Sequence, residues 1–161
     1  MILNRQRCVR ISVGDLKEFV SRARRALRLP AKSVTVCLVT NSEIARWNRV
    51  YRGKSGPTDV LSFPVDGPHR RRKLSGARKK GDLFPPVSFA MPGSTATYLG
   101  DIAIAPMVAR RNARRFHRTF GQEIRILILH GMLHLMGYDH ETDAGEMDRR
   151  ERRLRRALGL G

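Results

Sequence analysis

Apolar positions recur along this chain with two periods, and each change of period marks a boundary between elements. Cys8, Val9, Ile11 and Val13 are the apolar positions of a short strand predicted over 7–13. Gly14-Asp15 then opens a helix to about Leu29. Leu16, Phe19, Val20, Ala23 and Leu27 share its apolar face, and Pro30 closes it. The β-branched run Val34-Thr35-Val36-Cys37-Leu38-Val39 predicts a buried strand over 33–39. Thr40 and Glu43 have capping-box spacing, so the next helix starts there, turns Ile44, Trp47 and Val50 inward and ends before Gly53. A third strand is predicted over 59–63, stopped by Pro64.

Residues 65–98 follow neither period. They hold Pro, Gly and Ser with the clusters Arg70-Arg71-Arg72-Lys73 and Arg78-Lys79-Lys80, and predict a basic, flexible insertion. It reads either as a solvated loop or as a grip for RNA. A fourth strand is predicted over 99–105, and Pro106 is placed to start a helix. That helix runs to about His117 with Met107, Val108, Ala109, Ala113 and Phe116 as its apolar positions. The segment 120–136 is helical and apolar on nearly all sides, so it belongs in the middle of the fold. Asp143 and Glu146 cap a last helix with Met147, Leu154 and Leu158 set among arginines. The order implies an α/β (α+β) fold in one domain, 1–161: a small mixed four-stranded sheet packed with about five helices, with right-handed crossovers.

Composition adds a partner to this picture. Lys and Arg number 32 against 14 Asp and Glu, a net charge of +18 over 161 residues. A polyanion offsets such charge, and nucleic acid is the one that gains affinity by counterion release. An arginine-rich proteome would give the same excess with no specific partner. With 41% hydrophobic residues the chain is globular. No apolar run approaches the ~20 residues that span a bilayer, and residues 1–7 lack a signal-peptide core, so a cytoplasmic protein without membrane partners is expected. Cys8 and Cys37 lack metal or redox spacing and are expected to be reduced core residues.

The chemistry concentrates in the last predicted helices. Three of the five histidines lie in His130-Gly131-Met132-Leu133-His134-Leu135-Met136-Gly137-Tyr138-Asp139-His140. Residues four apart share a helix face, so His130 and His134 can hold one ion. Gly137 can end the helix in a left-handed conformation and turn His140 back towards it. Three imidazoles with an open fourth position describe a catalytic zinc site, and Asp139, Glu141 and Asp143 are candidates to orient the rings, with Asp143 better suited to start the last helix. The spacing matches the H-E-x-x-H-x-x-G-x-x-H pattern of metal proteases except at Gly131, where those enzymes carry a glutamate. Peptide hydrolysis needs a proton delivered to a poor amine leaving group. Phosphodiester cleavage chiefly needs negative charge stabilised on phosphoryl oxygens, which a metal and cations supply. Gly131 either leaves space beside the ion or permits close helix packing.

The His130–His140 motif closely resembles the signature of the YbeY family of bacterial endoribonucleases, also called rRNA maturation factors. Two further blocks carry the resemblance: Asn48-Arg49-Val50-Tyr51-Arg52-Gly53-Lys54 with Pro57-Thr58-Asp59-Val60-Leu61-Ser62-Phe63-Pro64, and Leu99-Gly100-Asp101-Ile102. The resemblance implies a single-strand-specific, zinc-dependent endoribonuclease. It would mature ribosomal RNA, chiefly the 3′ end of the small-subunit RNA, and act in ribosome quality control, with the small ribosomal subunit as partner. It implies His130, His134 and His140 as ligands of one zinc ion and as catalytic residues, joined by Arg52, whose guanidinium can grip a phosphate with two donors. Asp59, Ser62 and Asp101 would either shape the cleft or serve structural roles. The insertion at 65–98 departs from the family. A non-catalytic ribosome-assembly RNA-binding factor with a structural zinc is the alternative, and a metalloprotease a more distant one.

Overall fold

The computed structural model describes residues 1–65, 98–140 and 142–161; the basic clusters at 70–73 and 78–80, and Glu141, lie outside the described residues. Among the described residues four strands and five α-helices follow in order: β1 (Ile2–Asn4), α1 (Val13–Ala26), β2 (Val34–Leu38), α2 (Asn41–Arg52), β3 (Val60–Pro64), β4 (Gly100–Ile104), α3 (Pro106–Arg115), α4 (Phe120–Leu135) and α5 (Glu146–Ala157). The sheet runs β1-β2-β4-β3. β1, β2 and β4 are parallel, with Ile2 opposite Val36 and Val36 opposite Ile102, and β3 closes one edge antiparallel to β4, with Ser62 opposite Ile102. The two central strands are buried along their whole length, as strands covered on both faces must be.

Strand alternation sorts the core into two layers. Val34, Val36, Leu38, Ile102 and Ile104 face α1, α4 and α5. Cys37, Ala103, Leu61 and Phe63 face Ile44 and Trp47 of α2 and Val108 of α3. Trp47 meets Phe63 edge-on with ring centroids 6.0 Å apart, and Tyr51 does the same at 5.0 Å. The result is the expected α+β fold, a mixed sheet between helices. No helix among the described residues is long and apolar enough to cross a membrane.

Several local expectations change. The 7–13 segment is not a strand. The buried amide of Gln6 holds both backbone groups of Val9, donating to its carbonyl at 2.9 Å and accepting from its N–H at 2.9 Å. A side chain thus replaces the ladder, Ser12 N-caps α1, and Val13 is already helical. Ile2–Asn4 supplies the edge strand instead. Cys8 is exposed, not core; Cys37 is buried in β2. Val50, read as inward-facing, is 57% exposed, and Met107 and Phe116, read as apolar positions of their helix, are 45% and 49% exposed. Each falls off a buried stripe: α2 buries Ile44, Trp47 and Asn48, and α3 buries Val108, Ala109 and Ala113. The Thr40–Glu43 capping box is present as read, and Thr119 with Gln122 forms a second one at the start of α4.

Candidate metal centre

The central helix α4 carries the site because its apolar surface lets it run through the core. Ile124, Ile128, Leu129, Met132 and Leu133 are all fully buried on it. Gly131 is what allows this helix to sit so near the sheet. A Cβ at this position would lie 2.8 Å from Ile102 Cγ2 and 3.0 Å from its Cδ1. Ile102 is itself fully buried in β4 and has nowhere to go. Of the two readings of Gly131, close helix–sheet packing is therefore the one realised. Position 131 points at β4, so a carboxylate there would enter the core interface.

His130 and His134 emerge half-buried from the other side of α4, with their Nε2 atoms 3.1 Å apart. The helix then ends at Gly137, whose φ of +91° suits glycine. Its N–H bonds the His134 carbonyl at 3.0 Å, and the Tyr138 N–H reaches back to Leu133 at 3.1 Å, the Schellman pattern. This reversal brings exposed His140 over the pair. The three rings stand 4.6, 5.5 and 5.3 Å apart between centroids, and one nitrogen from each lies within 4.8 Å of the others. An ion ~2.0–2.1 Å from tetrahedral nitrogen ligands spans nitrogens ~3.3 Å apart, close to the His130–His134 separation. Three imidazoles are a donor set for a divalent transition-metal ion. Burial, then the neighbouring His130 and His140, hold His134 below its ordinary pKa, which favours the neutral form that ligates.

α5 braces the site from outside. Glu151, buried at 6% exposure, receives a 2.8 Å hydrogen bond at Oε2 from His130 Nδ1. Its other oxygen takes the guanidinium of Arg155. Burial alone would raise the Glu151 pKa, but the His130 hydrogen bond and Arg155 outweigh it and hold the carboxyl below its usual value. The ionised carboxylate fixes the His130 tautomer with Nε2 turned towards the triad. One residue earlier, Arg150 lies over the Tyr138 ring at 5.4 Å and holds the turn against α5. Glu151 was not among the expected orienting acids. Asp143 instead caps α5, accepting from the N–H groups of Gly145, Glu146 and Met147. A signal for Glu151 existed: it occupies the Met147–Leu154 stripe of α5, where a carboxylate has no solvent reason to be.

The other expected site residues have separate places. Ser62 Oγ approaches the Gly131 carbonyl at 3.4 Å, joining β3 to the site helix. Asp59 accepts from the Val60 N–H at 2.9 Å and from Asn112 Nδ2 at 3.0 Å, tying β3 to α3. Asp101 points to the opposite face of the sheet from Ile102, where it accepts from Tyr98 at 2.6 Å. Arg52 is the exposed last residue of α2. The structure brings the three histidines together.

The sequence profile described as Endoribonuclease YbeY matches residues 2–159. The chain belongs to the YbeY family. Among YbeY relatives, the protein named Endoribonuclease YbeY from Koribacter versatilis is 35% identical over 162 residues, covering 99% of this chain and 86% of the relative. That of Sulfurovum sp. is 35% identical over 135 residues, covering 84% of this chain and 78% of its own. The solution structure of TM1509 from Thermotoga maritima is similar with a TM-score of 0.53 and 27% identity, over 98% of this chain and 89% of that one.

Proposed function

We propose that this protein is a zinc-dependent, single-strand-specific endoribonuclease. It acts in the cytoplasm as a single 1–161 domain, on ribosomal RNA at the 3′ end of the small-subunit RNA, and serves ribosome quality control. The observation that carries this reading is the convergence of three imidazoles on one point, one of them backed by a buried carboxylate, in a chain whose relatives are named endoribonucleases.

His130, His134 and His140 would hold the ion. When bound, zinc supplies a Lewis acid for a phosphoryl oxygen and lowers the pKa of water. Glu151 keeps the Nδ1 proton of His130 on the outer side of the ring. The Arg52 guanidinium grips a non-bridging phosphate oxygen pair and offsets charge that builds on the phosphoryl group. Gly131 lets α4 seat against β4 so that the two helical histidines keep their spacing. A protease reading gains nothing from the geometry, because position 131 faces the core and supplies no carboxylate.

The test is metal analysis combined with RNA cleavage. His130→Ala loses both bound zinc and cleavage. Arg52→Ala keeps fold and zinc but loses cleavage by roughly a hundredfold or more, the order lost with one transition-state donor. Cleavage at an unchanged rate by Arg52→Ala, or by zinc-free protein, would refute this reading.

A further inference from the structure

The exposed side of α3 differs in charge pattern from the arginine-rich α5. α5 interleaves its arginines with Glu146, Asp148 and Glu151, and ion pairs join Arg152 to Asp148 and Arg155 to Glu151. α3, Pro-Met-Val-Ala-Arg-Arg-Asn-Ala-Arg-Arg, has four arginines and no acid. Among the described residues no carboxylate lies within ion-pair distance of Arg110, Arg111, Arg114 or Arg115. Arg110, Arg111 and Arg114 recur at helical spacing and, with Asn41, rim a groove of about 460 Å³ whose floor is Met107 and Val108. Met107 is 45% exposed there. At the end of the same helix Phe116 is 49% exposed, with the guanidinium carbons of Arg115 and Arg118 at 5.7 and 5.2 Å from its ring centroid. Arg118 is held in turn by Glu123 at 2.9 Å.

A row of unpaired cations costs self-repulsion, and an exposed aromatic costs hydrophobic surface; both costs fall away under one kind of ligand. Single-stranded nucleic acid presents phosphates to guanidiniums and flat base faces to rings and planar guanidiniums. An acidic protein would satisfy the arginines but has no particular use for the Phe116 stack. We propose that the exposed arginine row of α3, together with Phe116 at the helix end, is a second binding surface for single-stranded RNA, separate from the histidine site. The arginines hold consecutive phosphates, and Phe116 with its two guanidiniums stacks a base. This deepens the endoribonuclease reading and rests on it for the choice of RNA as polyanion.

The test is anisotropy titration of a labelled oligouridylate about a dozen nucleotides long, across a salt series, with cleavage followed in parallel. Variants are the triple substitution R110Q/R111Q/R114Q and Phe116→Ala, all at exposed positions. Each neutralised single-strand phosphate contributes about 0.7 to the log–log salt slope, so the triple variant should lower it by about 2 and weaken binding most at low salt. Phe116→Ala should weaken binding roughly tenfold with the slope unchanged, the effect of losing one stacked base. If the triple variant melts early, single R110Q and R114Q variants read the same effect at about 0.7 each. Wild-type slope and affinity in all variants would overturn the inference while leaving any observed cleavage, and with it the proposed function, intact. Variants that lose binding in a protein that never cuts RNA would do the reverse. Displacement of the RNA by polyglutamate at equal charge concentration, with Phe116→Ala indistinguishable from wild type, would assign the face to acidic proteins and overturn the inference too.

Discussion

Single residues set the site's geometry, and two of them are open to direct test. Glu151 is the clearest case, since its carboxylate joins His130 Nδ1 to Arg155 in a buried setting. Removing only its charge, as in Glu151→Gln, should lower metal affinity by about tenfold or more while the fold survives, read by competition with a chelating dye. Gly131 is the second. Alanine there gains up to ~1 kcal/mol of helix propensity, yet its Cβ would press on Ile102 at 2.8 Å. Overpacking at ~1–3 kcal/mol wins, so Gly131→Ala should lower the melting temperature. A cycle with Ile102→Ala locates the clash: the double variant should be less destabilised than the two single losses added together. Strict additivity would place the strain elsewhere. Gly131 was visible in the sequence as the departure from the protease pattern. Which of its two roles applied was not, because Ile102 lies far away in the chain.

At the scale of elements, α4 and its exit form one device. Thr119 and Gln122 start the helix, its apolar surface fixes its depth, and Gly137 stops it where His140 can return. Gly137→Ala forces a Cβ into a left-handed conformation, at a cost of about 1 kcal/mol. The added Cβ meets nothing within 4 Å, so the cost is conformational rather than a clash. Its larger effect should be on metal: a helix that runs on past 136 carries His140 away from the pair, and zinc content should fall more than stability does. Equal retention of zinc would show that the turn does not position His140. The helix, its glycine stop and the histidine spacing were legible because they are local. The first strand was not. Cys8, Val9, Ile11 and Val13 carry apolar residues at strand-like intervals, but Gln6 occupies the Val9 backbone and Ser12 caps a helix, so local hydrogen bonds override the pattern.

For the whole molecule, layering decides which charges are buried. Asp101 is fully buried on the face of the sheet away from the histidines. Burial raises its pKa to about 6 from an ordinary 3.8, with the Tyr98 hydrogen bond pulling part of the way back. The native state therefore holds this proton more tightly than the unfolded chain. Stability from this group is greatest below pH ~4 and falls as pH rises through about 6, by on the order of 3 kcal/mol. Denaturant unfolding of wild type and Asp101→Asn over this range should show the difference between them changing in that sense. A constant difference would mean that Asp101 does not titrate in this window.

By itself the sequence determined the element order after the first strand, the α+β class, the family and the three histidines. Each of these is written in short-range spacing: period, caps, a glycine stop and an i, i+4 pair. The tertiary structure alone decided that Gly131 serves packing against Ile102, that Glu151 rather than a neighbouring acid orients His130, and that Asp101 faces away from the site. It also decided that the arginines of α3 stand without acidic partners among the described residues, whereas α5 pairs Arg152 with Asp148 and Arg155 with Glu151. The physical reason is the same in every case. Packing and desolvation depend on which residue from a distant element lies opposite, and the spacing of residues along one chain segment carries no record of that.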